Sequence, residues 1–113
     1  MEMARGCVSE LLGGAEPVSV TVDKIFSKVF KKYGISKEDI VGPRRTKDIA
    51  FARHVTIYLI SSITGMSENN MAKLLNRDHS TITASNDVIE RKLRTDTIFN
   101  VEIEEMIKEI NGN

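Results

Sequence analysis

Tryptophan is absent from this 113-residue chain, and aromatic residues of all kinds make up only 5% of it. Aromatic platforms that stack single-stranded bases, and aromatic cages for cations, are therefore not expected. A single cysteine, Cys7, excludes an internal disulfide, and no set of cysteine and histidine has the spacing of a zinc site. No apolar run approaches the roughly 18 residues of a membrane span. The opening residues carry Glu2, Arg5 and Glu10 where a signal peptide needs a basic start and an apolar middle. Strand signals are missing as well: there is no sustained alternation of apolar and polar residues and no Asn-Gly or Asp-Gly turn between apolar runs. The expectation is a cytoplasmic, all-α protein that needs no metal or other cofactor.

Net charge is also lacking, since 16 basic residues balance 16 acidic ones. The distribution is uneven. Residues 1–16 set Arg5 against Glu2, Glu10 and Glu16, a net −2, and residues 100–113 set Lys108 against Glu102, Glu104, Glu105 and Glu109, a net −3. The middle of the chain is left at +5. A basic body between acidic ends is compatible with a nucleic-acid-binding face turned away from both termini, and equally with a solvated lysine surface.

What is present fits one domain, because domains typically run to about 100–150 residues. Residues 1–18, with Gly6, Gly13, Gly14 and Pro17, read as a flexible leader, and residues 19–113 as the domain. A first helix is expected over Val22–Tyr33, capped by Thr21 and stopped by Gly34, with Val22, Ile25, Phe26, Val29, Phe30 and Tyr33 on its apolar side. Ser36-Lys37-Glu38-Asp39 has the pattern of a helix start and opens a short helix that ends by Gly42-Pro43. Arg44-Arg45-Thr46-Lys47 follows as a basic loop, whose guanidinium groups can reach phosphates or a narrow minor groove. The longest helix is expected over Lys47–Thr64, apolar around most of its circumference and hence central, and Gly65 ends it. His54 on that helix reads as a hydrogen-bonded boundary residue. A closing helix over Thr97–Ile110 turns Phe99, Ile103, Met106, Ile107 and Ile110 inward and a glutamate-rich face outward.

Between these lie the residues that suggest a function. Ser67 caps a helix over Glu68–Leu75, about three residues turn the chain, and Asp78 opens a second helix through Ile82, Ile89 and Leu93. Helix, tight turn and an amphipathic second helix with a polar start make a helix-turn-helix, whose second helix enters a DNA major groove by its N-terminal end. The carboxylate of Asp78 is expected to accept a hydrogen bond from the backbone N–H near Thr81, leaving Arg77, His79, Ser80 and Thr81 to project from the exposed turn. An ordinary polar helix start would show the same octet. The basic loop and the charge distribution favour the DNA reading. Adjacent residues on a helix point in different directions, so Asp78, His79 and Ser80 cannot form a catalytic set, and no enzymatic activity is expected.

From Val20 to Asn111 the chain resembles the C-terminal DNA-binding domain of the bacterial replication initiator DnaA. Three landmarks carry the resemblance: Thr21-Val22-Asp23 through Tyr33, Arg44-Arg45, and Arg77-Asp78-His79-Ser80-Thr81-Ile82. It implies about six helices of a Trp-repressor-like type and recognition of double-stranded DNA at a replication origin. It also implies a minor-groove arginine at Arg44 or Arg45, a backbone contact from Arg53, and a major-groove surface of Arg77, Asp78, His79, Ser80 and Thr81. Localisation would then be cytoplasmic and nucleoid-associated.

Several positions depart from the family pattern. Ala84 replaces a second histidine, Asp87 a basic residue, Ser61 or Ser62 a lysine, Asn69 a proline and Asn76 a glycine, while an Arg-Pro-Arg run reads Phe51-Ala52-Arg53. Each lost cation removes a phosphate contact and flattens the salt dependence by about one unit. No G-x-x-x-x-G-K-[ST] run occurs, so ATP binding is expected to reside in an ATPase domain or replication protein outside this chain, which is either an excised domain or a stand-alone relative. A stand-alone regulator of transcription or replication, and a protein-interaction module on the same scaffold, remain alternatives.

Overall fold

Capping residues and left-handed stops divide the chain into short helices, and the computed structural model, which describes residues 17–112, has six of them and no strand among the described residues. They are α1 (Val18–Tyr33), α2 (Lys37–Val41), α3 (Lys47–Thr64), α4 (Glu68–Leu75), α5 (His79–Thr95) and α6 (Thr97–Ile110). Cys7, and most of the segment expected as a leader, lie outside the described residues.

Local chemistry accounts for the boundaries. Ser36, Thr46, Ser67 and Asp96 each accept a hydrogen bond from a backbone N–H in the first turn of α2, α3, α4 and α6. Gly34 and Gly65 close α1 and α3 in the left-handed conformation, with their N–H groups bonded to Phe30 and Ser61 carbonyls. Asn76 does the same for α4 at φ 56°, a conformation that asparagine tolerates better than most residues with a Cβ.

The first helix begins at Val18, four residues before the expected start at Val22. Pro17 takes the N-cap position with φ −57°, and its carbonyl accepts from Val20 and Thr21, so Thr21 lies inside the helix. Val18 and Val20 are 49% and 41% exposed, so they add nothing to the buried stripe from which the helix was read. Phe30, expected on the apolar face, is largely exposed.

Packing centres on α3. Ile49, Ala52, Val55, Ile57, Leu59 and Ile60 are buried around its circumference, and α1, α2, α4 and α5 all pack on it. Each large apolar side chain fully removed from water contributes about 1.5–3 kcal/mol, which is why the most apolar helix takes the centre. Met71 and Leu75 of α4 and Ile82 and Ile89 of α5 complete the core on one side; Phe99, Ile103, Met106 and Ile110 of α6 close it. The acidic flank of α6 is joined to the basic flank of α1 by Lys28–Glu109 at 2.8 Å and Lys32–Glu102 at 3.8 Å. Lys92, near the end of α5, pairs with Asp96 and lies 5.2 Å above the Phe99 ring, so it serves helix termination and packing.

Candidate nucleic-acid interface

Two segments far apart in sequence meet at one cleft. Pro43 and Arg45 of the loop between α2 and α3, Ala50, Arg53 and His54 of α3, Ala72 and Lys73 of α4, the turn residues Asn76, Arg77 and Asp78, and Thr81 of α5 line it. The basic loop and the N-terminal turn of α5 therefore stand side by side. Arg77 bridges them, donating through Nη2 to the carbonyl of Gly42 and through Nη1 to its neighbour Asn76 at 2.9 Å.

Arg53 is placed differently from the direct DNA-backbone contact expected for it. Its side chain is only 6% exposed. Nε donates to the Ile40 carbonyl at 2.7 Å, and Nη2 lies within 3.0–3.2 Å of the carbonyls of Asp39, Gly42 and Arg44. The last carbonyls of a helix have no partner of their own, and α2 is followed by Gly42-Pro43, which cannot continue it. A buried guanidinium with a fork of donors satisfies that group of acceptors. Arg53 thus shapes the loop that carries Arg44 and Arg45 and lies on the floor of the cleft.

Burial first, then the charges of Arg77 and Arg45, push the Arg53 pKa down from its ordinary value. Arg77 and Arg45 are thus near enough to repel the Arg53 guanidinium, and arginine stays protonated throughout the physiological range. Mutual repulsion of that kind concentrates positive potential where an anion would relieve it. Arg44 is 64% exposed and touches Asp39 at 3.5 Å, and Arg45 is exposed at the cleft edge.

At the start of α5, Asp78 is the N-cap by backbone geometry, but its side chain does not cap, contrary to the expected bond near Thr81. Its backbone carbonyl accepts from Thr81 and Ile82 N–H at 3.0 and 3.2 Å, so the helix starts without the carboxylate, which lies exposed at the cleft. His79 and Ser80 are exposed, whereas Thr81 is half-buried at the cleft wall.

Three features of the site went unread in the sequence. Glu68 of α4 bonds to His79 and Thr83 of α5, the Gly42 carbonyl receives both Arg53 and Arg77, and Nδ1 of His54 lies 2.7 Å from the buried hydroxyl of Ser85. The last agrees with a boundary role for His54. None of these pairs has a spacing that sequence periodicity would pick out. Among the described residues no cluster of histidine, cysteine and acidic side chains could hold a metal ion, and no helix is long and apolar enough to cross a membrane.

Comparison with known proteins places the same residues in a family. The model for the bacterial DnaA protein helix-turn-helix matches residues 22–89. Among curated relatives, the chromosomal replication initiator protein DnaA of a Thermoanaerobacter species is 30% identical over 112 residues, covering 99% of this chain and 25% of that protein. DnaA of Lachnoclostridium phytofermentans is 29% identical over 110 residues, covering 96% of this chain and 24% of that protein. DnaA of Caldanaerobacter subterraneus subsp. tengcongensis is 32% identical over 93 residues, covering 82% of this chain and 21% of that protein. The chain thus spans about a quarter of the length of the relatives it matches. Because the matched region runs from α1 through the arginine loop and the first turns of α5, the chain belongs to the bacterial DnaA helix-turn-helix family.

Proposed function

We propose that this chain binds double-stranded DNA sequence-specifically, in the way a DnaA box is recognised at a replication origin. The N-terminal turn of α5 enters the major groove while Arg44 or Arg45 reaches the adjacent minor groove. The observation that carries this reading is the shared cleft between the arginine loop and the start of α5, held by the bond from Arg77 to Gly42. One duplex can then meet both elements in neighbouring grooves.

Within that docking each side chain has a role its chemistry allows. Asp78 accepts from a cytosine or adenine amino group, His79 meets an acceptor or donor on a base edge, Ser80 bonds to base or phosphate, and the Thr81 methyl sits against a thymine methyl. Arg77 has five N–H donors, so it can brace the loop and still donate to guanine or phosphate. Arg53 acts through the loop and makes no base contact. This is a binding module with no catalytic residue, which places it at the nucleoid and gives it an ATPase domain or replication protein as working partner.

Fluorescence anisotropy with box-containing and scrambled duplexes at moderate salt tests the proposal. Tighter binding of the box by at least about a thousandfold is the expected result for a specific site. Equal affinities for the two duplexes would remove sequence specificity from the reading.

A further inference from the structure

Glu68, in the first turn of α4, reaches across the helix-turn-helix to α5. Oε1 lies 2.6 Å from Nε2 of His79, and Oε2 accepts from the Thr83 hydroxyl at 3.1 Å. His79 and Thr83 are four residues apart, so the carboxylate spans one turn of the outward face of α5. All three side chains remain open to solvent, with His79 59% and Glu68 41% exposed. Capping does not explain the arrangement, because Ser67 already accepts from the Asn70 N–H at 3.2 Å.

The hydrogen-bond roles follow from the carboxylate. An ionised carboxylate can only accept, so Nε2 of His79 carries the hydrogen in this contact. The Thr83 hydroxyl donates its hydrogen to Glu68 and keeps an oxygen that accepts. Glu68 itself retains unused lone pairs. Glu68 and Thr83 therefore offer only acceptors at this corner of the surface. In the major groove, cytosine presents an N4 donor and adenine an N6 donor, whereas guanine and thymine present acceptors.

We propose that Glu68 is a specificity-determining residue, making the Glu68–His79–Thr83 corner select cytosine or adenine on the strand that faces it and reject guanine and thymine. The inference rests on the DNA-binding reading above. A carboxylate beside the phosphates also weakens binding to every sequence, so selectivity here comes with lower general affinity.

The test is selection of bound duplexes from a random pool by the whole chain, its Glu68→Ala variant and its Glu68→Gln variant, with helicity and melting checked for each. The native chain should return one position restricted to cytosine or adenine. Glu68→Ala should flatten that position by roughly tenfold, leave the others unchanged and tighten binding to scrambled DNA. Glu68→Gln supplies an amide donor and should admit guanine or thymine there. Profiles of both variants that superimpose on the native one would overturn the assignment to Glu68 while leaving sequence-specific binding intact. A native chain that returns no consensus would instead overturn the underlying DNA reading, and this inference with it.

Discussion

Nδ1 of His54 lies 2.7 Å from Oγ of Ser85, a fully buried hydroxyl on α5, and this contact ties the central helix α3 to α5. Burial, then the nearby Arg53 charge, lowers the His54 pKa below its ordinary value of 6.5. The unfolded chain therefore takes up the His54 proton before the folded one does. This contribution to stability is present above about pH 6.5 and is lost as pH falls from there through the depressed folded value, below which it changes no further. Urea unfolding between pH 8 and pH 5 should show the loss, and His54→Gln should reduce the slope. Identical slopes in the two proteins would show that the ring does not carry this linkage.

Removing Arg53 should act on the fold before it acts on DNA. Arg53→Ala leaves the carbonyls of Asp39, Ile40, Gly42 and Arg44 without their shared donor in a site that is 6% exposed. A loss of about 3 kcal/mol is expected by denaturant titration. Arg53→Lys should recover only part of it, because an ammonium lacks the planar fork. Wild-type stability in Arg53→Ala would show that these bonds contribute little.

Gly42 is constrained by space, not by a left-handed backbone. A Cβ there would stand 2.8 Å from the carbonyl oxygen of Glu38, an atom fixed in α2. Gly42→Ala should therefore displace the loop, costing about 1–3 kcal/mol, as overpacking generally does. The same displacement should disturb the acceptor that Arg53 and Arg77 share. DNA affinity should then fall even though no DNA-facing side chain has changed. Unchanged affinity with lowered stability would separate the loop from binding.

On DNA, Arg45→Ala should weaken binding to the preferred duplex by about 1–3 kcal/mol and lower the magnitude of the salt slope by about one unit. His79→Ala should weaken the preferred duplex by a similar amount while changing the salt slope less, since a base contact releases fewer counterions than a phosphate contact. Anisotropy titrations at several salt concentrations distinguish the two. If His79→Ala lost affinity equally for all sequences, His79 would belong to the backbone contacts.

Helix boundaries were legible in the chain because short-range interactions set them. Ser36, Ser67, Gly34 and Gly65 act on amides and carbonyls within one turn of themselves, and the expected spans of α3, α4 and α6 coincide with those observed. The start of α1 escaped detection because Val18 and Val20 lie on exposed turns, where burial leaves no periodic trace. The identity of the DNA-facing candidates also came from a contiguous run, Arg77 through Thr81.

Tertiary structure alone decided what those candidates touch. Arg53 turns toward carbonyls 9 to 14 residues away, Glu68 meets His79 across 11 residues, and Arg77 reaches Gly42 across 35. Caps and apolar stripes depend on a residue's own helix, so the amino-acid order determined the six helices and their buried sides, the start of α1 and the exposed Phe30 apart. A guanidinium or carboxylate finds its partner only after helices from separate parts of the chain pack on α3, and no local pattern specifies which carbonyl or imidazole that packing brings within reach.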